Sequence, residues 1–295
     1  MHYVIGDVHG CYDEMTALLA KIESMDPEAE IWFVGDFIDR GPKVWETLCW
    51  AMEHITESGR YHSVRGNHEQ MAIDYIREYG DWYQWKRGTR MGEPESHYDI
   101  DKVLKKNLGE NYDAYLPVKD FFESLPFHKL LEIETVWGRK VAFRIVHAYY
   151  EYGNLSEEEQ QNSNLWLRIE YGNLESEEIM VHGHTPTLDL DYMCWDVRNT
   201  RPGMISYRKN DINIDGGCAF ASSFPQYPAM LCAIRLEDLA EIYPCRIKDR
   251  IAEIAEKTHA NQDPAVTAQK YEENYLSREP ICRKMILRKM GCPDV

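Results

Sequence analysis

The chain has 295 residues, 44% of them hydrophobic, enough for one large α/β domain or two small ones. A formal net charge of -17 at pH 7 argues against a broad basic surface for nucleic acid, and no apolar stretch is long enough to span a membrane. The eight cysteines are scattered with no CxxC pair, which argues against a structural zinc site and fits free thiols in a reducing cytoplasm.

Tyr3-Val4-Ile5 is a short apolar run that stops at Gly6-Asp7-Val8-His9-Gly10, too near the first residue to leave room for a signal peptide. Asp13 to Ile22 has helical spacing. Ile31-Trp32-Phe33-Val34 then stops at Gly35-Asp36, as a buried strand bounded by glycine does. Asp39-Arg40 follow with a second carboxylate and a guanidinium, and Gly41-Pro42 turns the chain. Val44 to Ile55 reads as helix, and Tyr61 to Val64 runs into Arg65-Gly66-Asn67-His68-Glu69. These strand ends recur at about thirty residues, the length of one βαβ unit. Parallel strands would bring Asp7, His9, Asp36, Asn67 and His68 to one sheet edge, where open α/β sheets bind ligands. Oxygen and nitrogen donors without cysteine suit manganese, iron(II) or zinc.

Met71 to Tyr79 suggests a helix that Gly80 ends, and Asp81 to Pro117, rich in aromatic residues, a helical cap beside the site. Leu130 to Thr135 and Val141 to Val146 read as paired strands around Trp137-Gly138-Arg139, the second ending at His147-Ala148-Tyr149. Glu157-Glu158-Glu159 reads as a solvated loop or helix face. Ile179-Met180-Val181 runs into His182-Gly183-His184-Thr185-Pro186. Leu188 to Met204 reads as an irregular excursion or hairpin, and Ala229 to Leu236 as the last strand. Arg246 to Val295 is charged and helical in pattern, with a break at Pro264.

GDVHG, GDFIDRG and GNHE, in this order and spacing, resemble the signature motifs of the PPP-type serine/threonine phosphatases, in their bacterial and phage-like branch, within the calcineurin-like metallophosphoesterases. The resemblance covers Met1 to about Asp238. It implies an α/β fold, a β-sandwich flanked by helices, with the phosphoesterase domain over 1–245, a cap segment over about 70–125 and a helical extension over 246–295. It implies two divalent metal ions, with manganese expected and iron or zinc as alternatives. Asp36 would bridge them, Asp7 and His9 would complete the first, and Asn67, His147 and His184 the second, with His182 as the runner-up to His184.

A metal-bridging hydroxide would attack phosphorus directly. Arg40 and Arg168, the latter in a Leu-Trp-x-Arg string at Leu165 to Arg168, would grip phosphate. His68 would protonate the leaving oxygen, oriented by Asp39. The expected function is hydrolysis of phosphoserine, phosphothreonine or a similar small phosphate ester. The alternative is hydrolysis of dinucleoside polyphosphates, a branch that commonly has alanine where this chain has Asp39 and GNHD where it has GNHE. A non-catalytic binding protein is disfavoured, because all six proposed ligands are present. Pro186, where wider metallophosphoesterases carry another ligand, favours the PPP branch.

Two departures concern substrate. Trp82 to Gly88 stands where many relatives have Trp-x-x-Asn-Gly-Gly, and Tyr149 stands where the family has glycine, which would narrow the site. Two rival chemistries are absent. The C-x5-R string from Cys282 to Arg288 lacks a glycine and reads as helix, and no GxSxG or Walker A string occurs. The sequence leaves the oligomeric state open.

Overall fold

The computed structural model describes residues 1–85, 99–168, 176–188, 201–259, 263–277 and 279–294, with backbone only at 82–85. Its centre is two mixed five-stranded sheets. The first joins β1 (His2–Ile5), β2 (Glu30–Phe33) and β3 (Tyr61–Ser63) in parallel, and β9 (Ala233–Arg235) and β10 (Glu241–Ile242) extend it antiparallel beyond β1. The second is ordered β4 (His128–Glu134), β5 (Lys140–Val146), β6 (Ile179–His182), β8 (Asp211–Asn213), β7 (Ser206–Arg208), with β5, β6 and β8 parallel. The expected hairpin around Gly138 is the β4–β5 pair.

Strand alternation divides the first sheet between two cores. Val4 and Trp32 face the second sheet, where Val141, Phe143, Ile145 and Val181 meet them. Tyr3, Ile5, Ile31 and Phe33 face the helices. Helix α1 (Tyr12–Met25) buries Met15, Leu18, Leu19 and Ile22, the spacing of one helical stripe. Each fully buried Leu or Ile contributes roughly 1.5–3 kcal/mol. Helix α2 (Val44–His54) covers the same face.

Helix α3 (Asn67–Trp85) begins at the site and runs past Gly80. The expectation that Gly80 ends it is therefore corrected: a Cβ there would stand 2.5 Å from the Tyr112 ring, so the glycine admits a close-packed side chain. Helices α4 (Ile100–Leu108) and α5 (Leu116–Ser124) fall in the stretch expected to form a cap and pack into the helix-side core. The Trp82 to Gly88 departure falls on residues outside the description of side chains, and most of Leu188 to Met204 also lies outside the described residues.

The glutamate run opens α6 (Glu157–Trp166). Ser156 and Glu159 form a reciprocal capping box, and acidic side chains in a first turn complement the helix dipole. Beyond β10 come α7 (Ile247–Thr258), α8 (Pro264–Tyr271) and α9 (Ile281–Lys289). The C-x5-R string lies in α9, as its lack of glycine predicts. Ile286, Leu287 and Met290 enter the inter-sheet core. Among the described residues, no helix is long and apolar enough to cross a membrane.

Candidate metal centre

The site forms where β1, β2 and β3 of one sheet and β5 and β6 of the other release their chains. Asp7 and His9 follow β1, Asp36 follows β2, Asn67 and His68 follow β3, His147 follows β5 and His184 follows β6. All seven are buried. Asp36 Oδ2 lies 3.3 Å from His9 Nε2, 3.5 Å from His147 Nε2 and 3.9 Å from His68 Nε2. Its Oδ1 accepts the His68 N–H at 3.0 Å. Two overlapping groups could hold a cation, His9 with Asp36 and His68, and Asp7 with Asp36 and His147.

The histidine tautomers favour such a role. His9 Nδ1 lies 2.8 Å from the Ile38 carbonyl and His147 Nδ1 2.9 Å from that of Val34. A carbonyl only accepts, so each Nδ1 carries the proton and each Nε2 is left as a lone pair. Burial pushes His9 down to about 3, lowers His147, and pushes His184 to about 2, so these rings stay neutral. The His147 lone pair then faces Asn67 Oδ1 at 2.7 Å, with His184 Nδ1 at 3.1 Å from each. Acceptor set against acceptor is a contact that a shared cation relieves.

Asp7 completes the set. Its Oδ2 accepts the His184 N–H at 3.0 Å, while its Oδ1 is buried without a hydrogen bond. Burial and the Asp215 and Asp36 charges push its carboxyl well above the usual range, a cost that a cation would remove. The His68 N–H donated to Asp36 Oδ1 favours the ionised form of that carboxylate. Space is reserved for these carboxylates: a Cβ on Gly183 would stand 1.8 Å from Asp7 Oδ1, and one on Gly66 2.2 Å from Asp36 Oδ1.

Five non-glycine residues here have left-handed backbone: His9, Asp36, Asp39, Arg40 and His184, with φ between 44° and 69°. Such strain costs on the order of 1–3 kcal/mol per residue and persists only where neighbours over-determine it. Glu69 is one such determinant, and the sequence reading did not single it out. Fully buried, it accepts the N–H groups of Asp36 (2.8 Å), Phe37 (2.9 Å) and Gly66 (3.0 Å), tying the end of β2 to the end of β3. Burial and the Asp36 charge push its carboxyl up to about 7. Its position three residues after Gly66 in GNHE was the available signal.

The remaining residues surround this centre. His68 Nδ1 lies 2.6 Å from Asp39 Oδ2, and Arg40 Nη1 2.6 Å from His9 Nε2. Burial works against a charged His68, but Asp36 and Asp39 outweigh it and raise its pKa. Arg168 is exposed beyond α6 and donates to Thr185 Oγ1 at 3.1 Å, beside His184. His182, the runner-up ligand, is not in the cluster: its Nε2 lies 2.7 Å from Asp211 Oδ1 within the second sheet. Tyr149 packs with Tyr150 against Val146 and Met180. Asp215, near Asp7 and Arg40, accepts the Gly217 N–H at 2.9 Å, and burial raises it to about 6.

Comparison with known proteins places this geometry. The calcineurin-like phosphoesterase family matches residues 3–214. A symmetrical bis(5′-nucleosyl)-tetraphosphatase of Neisseria meningitidis is 44% identical over 76 residues, 25% of this chain and 26% of that protein, so the chain matches about a quarter of that relative's length. The asymmetrical bis(5′-nucleosyl)-tetraphosphatase PrpE of Bacillus subtilis is 26% identical over 236 residues, covering 74% of this chain and 86% of that protein. A crystal structure provisionally named a diadenosine tetraphosphatase shares the fold at a TM-score of 0.50 and 15% identity, over 82% of this chain and 91% of that one. With a family match over most of its length, and the sandwich and histidine–aspartate cluster in place, the chain belongs to the calcineurin-like phosphoesterases, which are metallophosphoesterase hydrolases.

Proposed function

We propose that the chain hydrolyses dinucleoside polyphosphates with two divalent ions, for which manganese is the expected metal. Asp7, His9 and Asp36 would hold one, and Asp36, Asn67, His147 and His184 the other. The observation that carries metal dependence is Asp36, whose Oδ2 stands 3.3 Å from His9 Nε2 and 3.5 Å from His147 Nε2, between the two donor groups. The dinucleotide substrate is supported by the relatives' names, chiefly the PrpE relative covered over 86% of its length. It takes precedence over the phosphoprotein substrate that the sequence motifs lead one to expect.

Such ions, when bound, polarise phosphoryl oxygens and bring the pKa of water toward neutrality. The protein's own groups do the rest. Arg40 and Arg168 would bind the outer phosphoryl oxygens, where charge collects as the bond to the leaving oxygen lengthens. His68 would carry the proton for that oxygen, and Asp39 fixes its ring through Nδ1.

That same pair supports a second reading. A buried, oriented proton donor matters most for a poor leaving group such as a serine alkoxide, and less for a phosphate. Hydrolysis of a phosphomonoester, including phosphoserine, is therefore the alternative. Turnover of diadenosine tetraphosphate, a phosphoserine peptide and p-nitrophenyl phosphate by manganese-loaded protein decides. The dinucleotide is expected to lead in kcat/KM by tenfold or more, its products showing whether the chain is cut centrally or near one end. Dominance of the peptide would install the second reading, and failure on all three with metal bound would remove both.

A further inference from the structure

A cavity of about 490 Å³ opens beside Arg40, between the start of α1, the loop 40–43, the turn at Cys218–Ser223 and α7. Helix α7, which forms one wall, lies beyond residue 214, where the family match stops. Four cations line the cavity, Arg40, Lys43, Arg250 and Lys257, against three acids, Asp13, Glu14 and Glu253. In a chain of net charge -17, that balance makes the lining cationic against the overall charge, and Arg40 ties this cavity to the metal centre.

The cations differ in how firmly they are committed. Arg250 is buried and bonds to Glu14, Glu253 and the carbonyls of Pro228 and Ala229, which fixes α7 in place. Lys43 pairs with Asp13 at 2.7 Å and Lys257 with Glu253 at 2.6 Å, their side chains 42% and 70% exposed. Ion pairs this open to water are worth little and are readily exchanged for a multiply charged ligand. Arg40 joins the cavity to the metal centre: its Nη1 lies 2.6 Å from His9 Nε2, and its guanidinium lies 4.9 Å from the centre of the Phe220 ring. The lining carries one aromatic side chain, Tyr12, so it is suited to reading charge rather than stacking a base.

We propose that this cavity is the subsite for the phosphate chain that continues beyond the phosphorus under attack. Its ligand class is a linear polyphosphate, engaged by Lys43 and Lys257 with Arg40 at the junction. The proposal rests on the dinucleoside polyphosphate reading above and places its recognition on the loop after β2 and on α7.

Calorimetric binding of inorganic tripolyphosphate and orthophosphate, at one fixed free manganese concentration, tests it. The wild-type protein is expected to bind tripolyphosphate at least tenfold more tightly than orthophosphate. Lys43→Glu and Lys257→Glu should each erode that preference threefold or more, and together abolish it, with orthophosphate affinity unchanged. Lys43→Gln and Lys257→Gln should give the same order with smaller losses, and they guard against a folding defect. Equal wild-type affinity for the two anions, or a double variant that keeps the preference, overturns the subsite. Turnover of diadenosine tetraphosphate, measured alongside, separates the two claims. Lysine-dependent tripolyphosphate binding without dinucleotide turnover sinks the substrate reading alone. Dinucleotide turnover with lysine-independent binding sinks the subsite alone.

Discussion

Asp39 Oδ2 stands 2.6 Å from His68 Nδ1, with both side chains about 1% exposed. The contact leaves one ring orientation and aims Nε2 toward Asp36, 3.9 Å away. His68→Asn should therefore lose more rate where the leaving group is poor. A general acid contributes roughly 10²–10⁴-fold. The loss on a phosphoserine peptide should exceed that on p-nitrophenyl phosphate, with metal content retained. Equal losses on both substrates, at intact metal content and with chemistry limiting, would remove His68 as proton donor.

Two divalent ions per chain are expected by elemental analysis after loading with manganese. Asp36 stands between both donor groups, whereas Asp7 touches one side of the cluster. Asp36→Asn should thus lose more metal than Asp7→Asn. Equal retention in the two variants counts against a bridging Asp36.

Glu69→Gln keeps the shape of the side chain but replaces one acceptor oxygen with a donor. At least one of the three N–H groups it now serves, those of Asp36, Phe37 and Gly66, would face that donor. A buried backbone group left unsatisfied costs about 1–3 kcal/mol. Urea denaturation should show a loss of that size, with weaker metal retention because Asp36 loses the support of its left-handed backbone. Unchanged stability together with full metal occupancy would show that Glu69 does not hold this loop.

Arg168→Ala should weaken inhibition by phosphate and lower turnover without changing metal content, since Arg168 lies at the rim beside Thr185. A variant matching the wild type in both assays would remove Arg168 from substrate binding.

Asp211 makes acid stability testable away from the metal centre. Burial opposes its charge, but His182 and Arg208 hold its carboxyl below the usual carboxylate range. A depressed folded-state pKa adds stability that is fully present above the unfolded value and is lost as pH falls through the folded one. The unfolding free energy should therefore drop as pH falls below about 4, and Asp211→Asn should flatten that drop. Identical slopes for the two proteins would dismiss the pair as a source of acid sensitivity.

Much of the candidate site was legible because each proposed donor follows a strand end. The apolar runs before Gly6, Gly35 and Gly66 announced the strands, and β1, β2 and β3 place Asp7, Asp36 and Asn67 together as the βαβ spacing requires. His147 and His184 were reachable only through resemblance, because the pairing of β5 with β6 joins residues far apart in sequence. Glu69 escaped because its partners are backbone N–H groups, which carry no residue-type signal. Gly80 misled because glycine ends a helix when nothing else explains it, and here the Tyr112 ring does. His182 shares the strand direction of a ligand, but Asp211 on the neighbouring strand captures its ring. The substrate was the least legible part, since Asp39 and GNHE point to one branch and the relatives to another.

Val4 and Trp32 share their core with Ile286 and Leu287 of α9 and with Met290 just after it, so residues from opposite regions of the sequence must meet before the sandwich closes. A ribosome delivers β1 and β2 first and α9 far later, on the order of tens of seconds at about 5–20 residues per second. Throughout that interval the inner faces of β1 and β2 lack the α9 side chains that finish their enclosure. During synthesis, the nascent protein is therefore expected to depend on chaperones that shield apolar strands, and to be most prone to aggregate when translation stalls between β6 and α9.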